Sequence, residues 1–159
     1  MHSVPGLDAA VLEAADINPT TGLATDYLNH YNEVAMMIAM LRDAPEMAET
    51  VLDWRPLGYA AHFQLTGFAH QAAAIAAYDR SGEGVKARFR TAKRRVELAI
   101  ADVQDLIAAS PGDPAEAVTR AAPIFALIAA VGAVINGETG LGPAPAFKSG
   151  QASANASFN

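Results

Sequence analysis

Val85-Lys86-Ala87-Arg88-Phe89-Arg90-Thr91-Ala92-Lys93-Arg94-Arg95-Val96-Glu97-Leu98-Ala99-Ile100-Ala101-Asp102-Val103-Gln104-Asp105-Leu106-Ile107-Ala108-Ala109 decides the fold class of this chain. Within it Val85, Phe89, Ala92, Val96, Ala99, Val103 and Leu106 alternate in steps of three and four. A helix of 3.6 residues per turn gathers such positions into one apolar seam, the pattern of a helix bundle. A seam of this kind needs neighbouring helices to cover it.

The flanking sequence supplies them. Leu23, Tyr27, Tyr31, Val34, Ile38 and Leu41 repeat with the same period and predict an amphipathic helix over Leu23 to Leu41. A short helix is expected over Leu7 to Ile17, and another from Pro45-Glu46, which suit a helix start, to Trp54-Arg55-Pro56, which ends it. Leu57 to Tyr78 carries a wide apolar face that includes Leu65, Phe68 and Ile75. Gly67 inside it costs about 1 kcal/mol relative to alanine and marks the point where that helix can break. Downstream of the seam, Ser110-Pro111-Gly112 is a stop, and Asp113-Pro114-Ala115-Glu116 combines an N-cap acid, a first-turn proline and a carboxylate at the capping-box position. Ala121 to Gly137 then contains no charge and is apolar on nearly every side. It is shorter than the roughly 20 residues of a bilayer span, so a bundle centre or subunit interface is expected, with no membrane span.

No strand-like alternation and no internal repeat interrupts this pattern. The sequence therefore predicts an all-α fold: a helical bundle of four to five helices forming one domain over residues 1–137, followed by a flexible tail, 138–159, rich in Gly, Pro, Ala, Ser and Asn. The 159 residues are 52% hydrophobic and 18% charged, enough apolar material for a core and far from the composition of a disordered chain. Cysteine is absent, which removes disulfides, thiolate metal sites and cysteine nucleophiles. The first residues carry Asp8, Glu13 and Asp16 and no basic-then-apolar pattern, so a cytoplasmic location is the expectation.

Charge narrows the partners. A net charge of −6 argues against general nucleic-acid binding. Against that background Lys86, Arg88, Arg90, Lys93, Arg94 and Arg95 place six of the chain's eleven bases within ten residues. Lys86, Arg90, Lys93 and Arg94 share one helical side and are candidates for gripping an acidic partner. The plainer reading is a solvated face neutralised by the acidic first half of the chain. Phe89 is the one aromatic residue in the block and belongs to the seam, so base stacking is not expected.

The densest set of chemically capable side chains is Asp26, Asn29, His30 and Glu33, which helical geometry brings to one side. A histidine and a carboxylate three apart can direct nitrogen and oxygen to one ion, with His62 or His70 completing a site. The order His-x-x-Glu is the reverse of the carboxylate-bundle pattern and occurs once, so the plainer reading is a core-boundary histidine. Trp54 and Arg55 are either an interface anchor or the lid on the end of the core. No cofactor is expected, a divalent metal at His30 and Glu33 being the one candidate. Nucleophile elbows, phosphate loops and dinucleotide fingerprints are all missing, and catalysis is not expected. The functional expectation is a small interaction or regulatory protein, homodimeric through its apolar last helix, with a protein as partner. The alternative is a bundle binding a metal or small ligand at Asp26, His30, Glu33 and His62 or His70.

Overall fold

A computed structural model describes residues 8–67 and 69–138 and shows an all-α fold. Its helices are α1 (Ala9–Ala14), α2 (Asn29–Ala39), α3 (Met47–Asp53), α4 (Tyr59–Leu65), α5 (Gln71–Asp79), α6 (Glu83–Ala109), α7 (Ala115–Thr119) and α8 (Ala121–Ile135), with a 3₁₀ turn at Thr25–Leu28 leading into α2. An isolated bridge between Ile17 and Ala24 is the only extended pairing among the described residues. The start of the expected first helix at Leu7, Phe68 and the tail from 139 onward lie outside the described residues.

More helices form than the four to five the periodicity predicts, because two long patterns are divided. Gly67 adopts φ 69°, a left-handed conformation that a helix cannot contain, and separates α4 from α5. Residues 25–28 are wound as a 3₁₀ turn, so α2 begins only at Asn29. At the start of α7 the Asp113 carboxylate accepts from the Ala115 amide at 3.1 Å, as its sequence position implies. Glu116, however, pairs forward with Arg120 at 3.1 Å and leaves the capping box unclosed.

The core is built on α6, which packs most extensively against α8, while α8 also packs along α2. Phe89, Val96 and Val103 are buried as the seam predicts, but Ile100 and Ile107 fill the core where Ala99 and Leu106 were expected. One residue is about 100° of rotation, and turning the helix so that Ile100 faces inward in place of Ala99 removes more apolar surface from water. Ile124, Ile128, Val131 and Ile135 meet them from α8.

Polar latches close the loop end. The Thr21 hydroxyl donates to the Ile135 carbonyl at 2.6 Å, and the Ser81 hydroxyl donates to the Thr21 carbonyl at 2.7 Å. These bonds tie loop 18–24 to the ends of α5 and α8. Asp16, just past α1, has φ 56°, with its amide on Glu13 and the Ile17 amide on Leu12, a turn in which glycine is usual. Replacing Asp16 with glycine removes that backbone strain and should raise stability by about 1 kcal/mol, read as a higher urea midpoint with unchanged slope.

Candidate functional site

The run Asp26-Tyr27-Leu28-Asn29-His30-Tyr31 forms a densely bonded cluster. Residues 54–58, between α3 and α4, are irregular, so their backbone groups need partners from elsewhere. Tyr27 and His30 provide them at one peptide residue: the Tyr27 hydroxyl donates to the Leu57 carbonyl at 2.6 Å, and the Leu57 amide donates to His30 Nε2 at 2.7 Å. Accepting at Nε2 fixes His30 as the neutral tautomer protonated at Nδ1. The neighbours of this pair reach other elements. Asp26 Oδ2 meets His62 Nε2 on α4 at 3.1 Å, and the Tyr31 hydroxyl donates to Glu97 Oε2 on α6 at 2.7 Å. Lys93 approaches the same carboxylate oxygen at 3.1 Å.

Around these bonds the aromatic rings interlock. Tyr27 lies 5.4 Å from Tyr31, 5.3 Å from Tyr59 and 5.5 Å from Phe89, centroid to centroid. Trp54 stacks on His30 at 4.7 Å with 26° between planes and so covers the end of the core. Arg55 turns its guanidinium back to the Leu52 and Trp54 carbonyls at 2.8 and 2.7 Å, capping the end of α3. Gln104 donates to the Val51 and Trp54 carbonyls at 2.9 and 2.8 Å, anchoring that end to α6.

Burial sets the protonation of the cluster. It pushes His30 down to about 4, with nearby His62 adding to the effect and Glu97 opposing it. It raises Tyr27 to about 12 and carries Tyr31 and Tyr59 further up. The phenols therefore act as neutral hydrogen-bond donors and acceptors, not as nucleophiles.

This geometry divides the metal candidates. Asp26, His30 and His62 come together, the two imidazole centroids being 6.2 Å apart. Glu33 is exposed: it lies about 60° round the helix from His30, past the edge of the buried side. His70 is also exposed, at the start of α5, because the break at Gly67 separates it from the helix of His62. Among the described residues no three His, Cys, Asp or Glu side chains are arranged to hold a metal ion. His30 instead belongs to a clasp, in which its Nε2 is occupied by the Leu57 amide. Sequence reading missed Tyr27, Tyr31, Tyr59 and Glu97 as its members. Two core-facing tyrosines four apart were the available signal, because a buried phenol needs a polar partner.

A cavity of about 470 Å³ lies elsewhere, between Leu12, Ile17 and Leu23 and the end of α8 at Ile135 and Asn136, with Glu13 and Asp16 on its lining. None of the candidate histidines borders it.

Two surfaces remain open. Lys93 bonds Glu97 within its own helix, and Lys86 lies 5.3 Å from the Tyr78 ring centre while donating to the Asp79 carbonyl. Arg88, Arg90, Arg94 and Arg95 take part in no ion pair among the described residues. The acidic first half of the chain therefore does not neutralise the block by direct pairing. The second surface is on α8. Ala122, Pro123, Ala126, Ala129 and Ala130 are exposed, with half-buried Phe125 and Ala133 beside them. Leu28, from the 3₁₀ turn before α2, lies close against Gly132 beside this face.

No family model matches the chain, and no curated protein or solved structure matches it.

Proposed function

We propose that the protein is a self-associating interaction module whose docking surface is the open face of α8. One observation carries this reading: a helix without a charged residue from Ala121 to Ile135 leaves a side lined by alanine and proline in solvent. Helices apolar all round are stable when surrounded, and here α2 and α6 cover one side. Alanines at 122, 126, 129 and 133 let a second helix approach to the roughly 8 Å lower limit of helix packing. Half-buried Phe125 adds aromatic area of the kind enriched in interfaces. A second copy is the partner proposed, because a self-complementary patch closes as a two-fold dimer.

By length and composition alone the stretch Ala115–Ile135, 21 residues, could also cross a membrane. Glu116 and Arg120 lie within it, and its inner face carries Ile124, Ile128 and Val131 into the core, which favours packing in the bundle. The proposal places the protein in the cytoplasm.

Light scattering in about 0.5 M salt, where surface ion pairs are screened, should give twice the 16.5 kDa chain mass. Ala126→Arg puts a charge on the open face without touching the core and should give a monomer with the wild-type far-UV spectrum. A monomeric wild type at micromolar concentration would overturn the proposal. So would an unchanged mass for the Ala126→Arg variant.

A further inference from the structure

The unpaired arginines of α6 have an acidic counterpart on α3, which is held to the far half of the same helix. Arg90 and Arg94 are exposed four residues apart, with Lys86 and Lys93 on the same side of the helix. Like charges four residues apart on one helix face repel each other. In this chain no carboxylate answers Arg90 or Arg94 among the described residues. Further along the helix, Gln104, on the Lys86/Lys93 side of α6, holds the end of α3 through the Val51 and Trp54 carbonyls. On the outer side of α3, Glu46, Glu49 and Asp53 are all exposed, fall within about 60° of one another by helical geometry, and join no ion pair. A basic stripe and an acidic stripe thus share one flank. From Arg90 to Gln104 is about 21 Å along the helix, at 1.5 Å per residue.

An isologous contact requires a surface complementary to itself after a half-turn. A flank with opposite charges at its two ends meets that requirement. We propose that this flank is a second, ionic contact between copies of the chain, in which Arg90 and Arg94 of one copy face Glu46, Glu49 and Asp53 of its mate, and the reverse. The net charge of −6 repels two copies at a distance, so attraction arises only when the stripes are aligned. The contact is independent of the α8 face, and both together would build assemblies larger than a dimer.

Charge exchange tests it, with Ala126→Arg added throughout so that α8 association is removed. One variant carries Arg90→Glu and Arg94→Glu; the other carries Glu46→Lys, Glu49→Lys and Asp53→Lys. In about 20 mM salt the Ala126→Arg parent should be dimeric and should dissociate as salt rises to about 0.5 M. Each exchanged variant alone should be monomeric at both concentrations while keeping the parental helix content. Mixed one to one they should form a heterodimer, because acid then faces base at both ends. A parent whose mass ignores salt would overturn the proposal, as would an exchanged variant that associates like the parent or a mixture that stays monomeric. A parent that retains a DNA or RNA oligonucleotide at low salt, with retention lost on Arg90→Glu and Arg94→Glu, would assign the stripe to nucleic acid instead. Failure of the α8 contact would appear separately, in the high-salt mass of the wild type.

Discussion

His30→Ala should lower stability by about 3–4 kcal/mol, among the largest losses available from one polar side chain here. The substitution removes the acceptor of the Leu57 amide and leaves a donor in a largely enclosed site, which costs about 1–3 kcal/mol. It also removes the ring stacked on Trp54 at 4.7 Å and so opens the end of the core. For a chain of this size the melting temperature should fall by roughly 6–16 °C. His30→Gln, which can place an oxygen near Nε2, should recover part of the loss; equal losses in both variants would show that the amide bond contributes little.

The same residue sets a pH dependence. His30 binds its proton at about 4 in the fold and near 6.5 in the unfolded chain, so between these values the unfolded state holds more protons. Its contribution is therefore complete above about pH 6.5 and is lost as pH falls toward 4, by up to about 3 kcal/mol. Urea midpoints measured from pH 7 to 4 should decline across this window in the wild type and less steeply in His30→Gln. Parallel curves would remove His30 as the cause.

Phe89→Ala should cost about 4 kcal/mol. Phe89 is fully buried on the central helix and contacts Tyr27, Tyr59 and Tyr78 at 5.5, 5.7 and 6.0 Å. Truncation leaves a void that those rings cannot fill without giving up hydrogen bonds: the Tyr59 hydroxyl accepts from the Ala24 amide at 2.8 Å, and Tyr27 holds the Leu57 carbonyl. Chemical denaturation with an unchanged slope would report the loss, and a cost below about 2 kcal/mol would mean that the rings close the gap. Ala126→Arg, on the open face, should leave the unfolding midpoint of the isolated chain within about 0.5 kcal/mol of wild type.

The helical periods of α6 and α2 were readable from sequence because the spacing of apolar residues is a local property. Gly67 could likewise be marked as a breaking point. The 3₁₀ turn at Thr25–Leu28 was not, since Asp26 and Tyr27 in it are bonded to residues 36 and 30 positions away. The rotation of α6 toward Ile100 and Ile107 depended on what faces it, which periodicity alone does not contain. For the clasp, the sequence singled out Asp26 and His30 and offered two readings, a ligand set and a core-boundary histidine, but could not name the partner, the Leu57 amide. Histidine beside acid suggested a ligand set, whereas the demand came from an irregular linker whose Leu57 peptide needed a donor and an acceptor. The unpaired arginines were visible as a block, but whether they found partners within the chain was a question of tertiary placement.

The most direct test of the interaction surface uses the absence of native cysteine, which makes Ala129→Cys a unique labelling site. With a nitroxide attached, pulsed dipolar measurement in about 0.5 M salt should give one intermolecular distance within about 25 Å, as expected for two α8 helices packed roughly 8–10 Å apart with a label arm on each. A sample without intermolecular coupling, or with distances well beyond that range, would contradict pairing through α8.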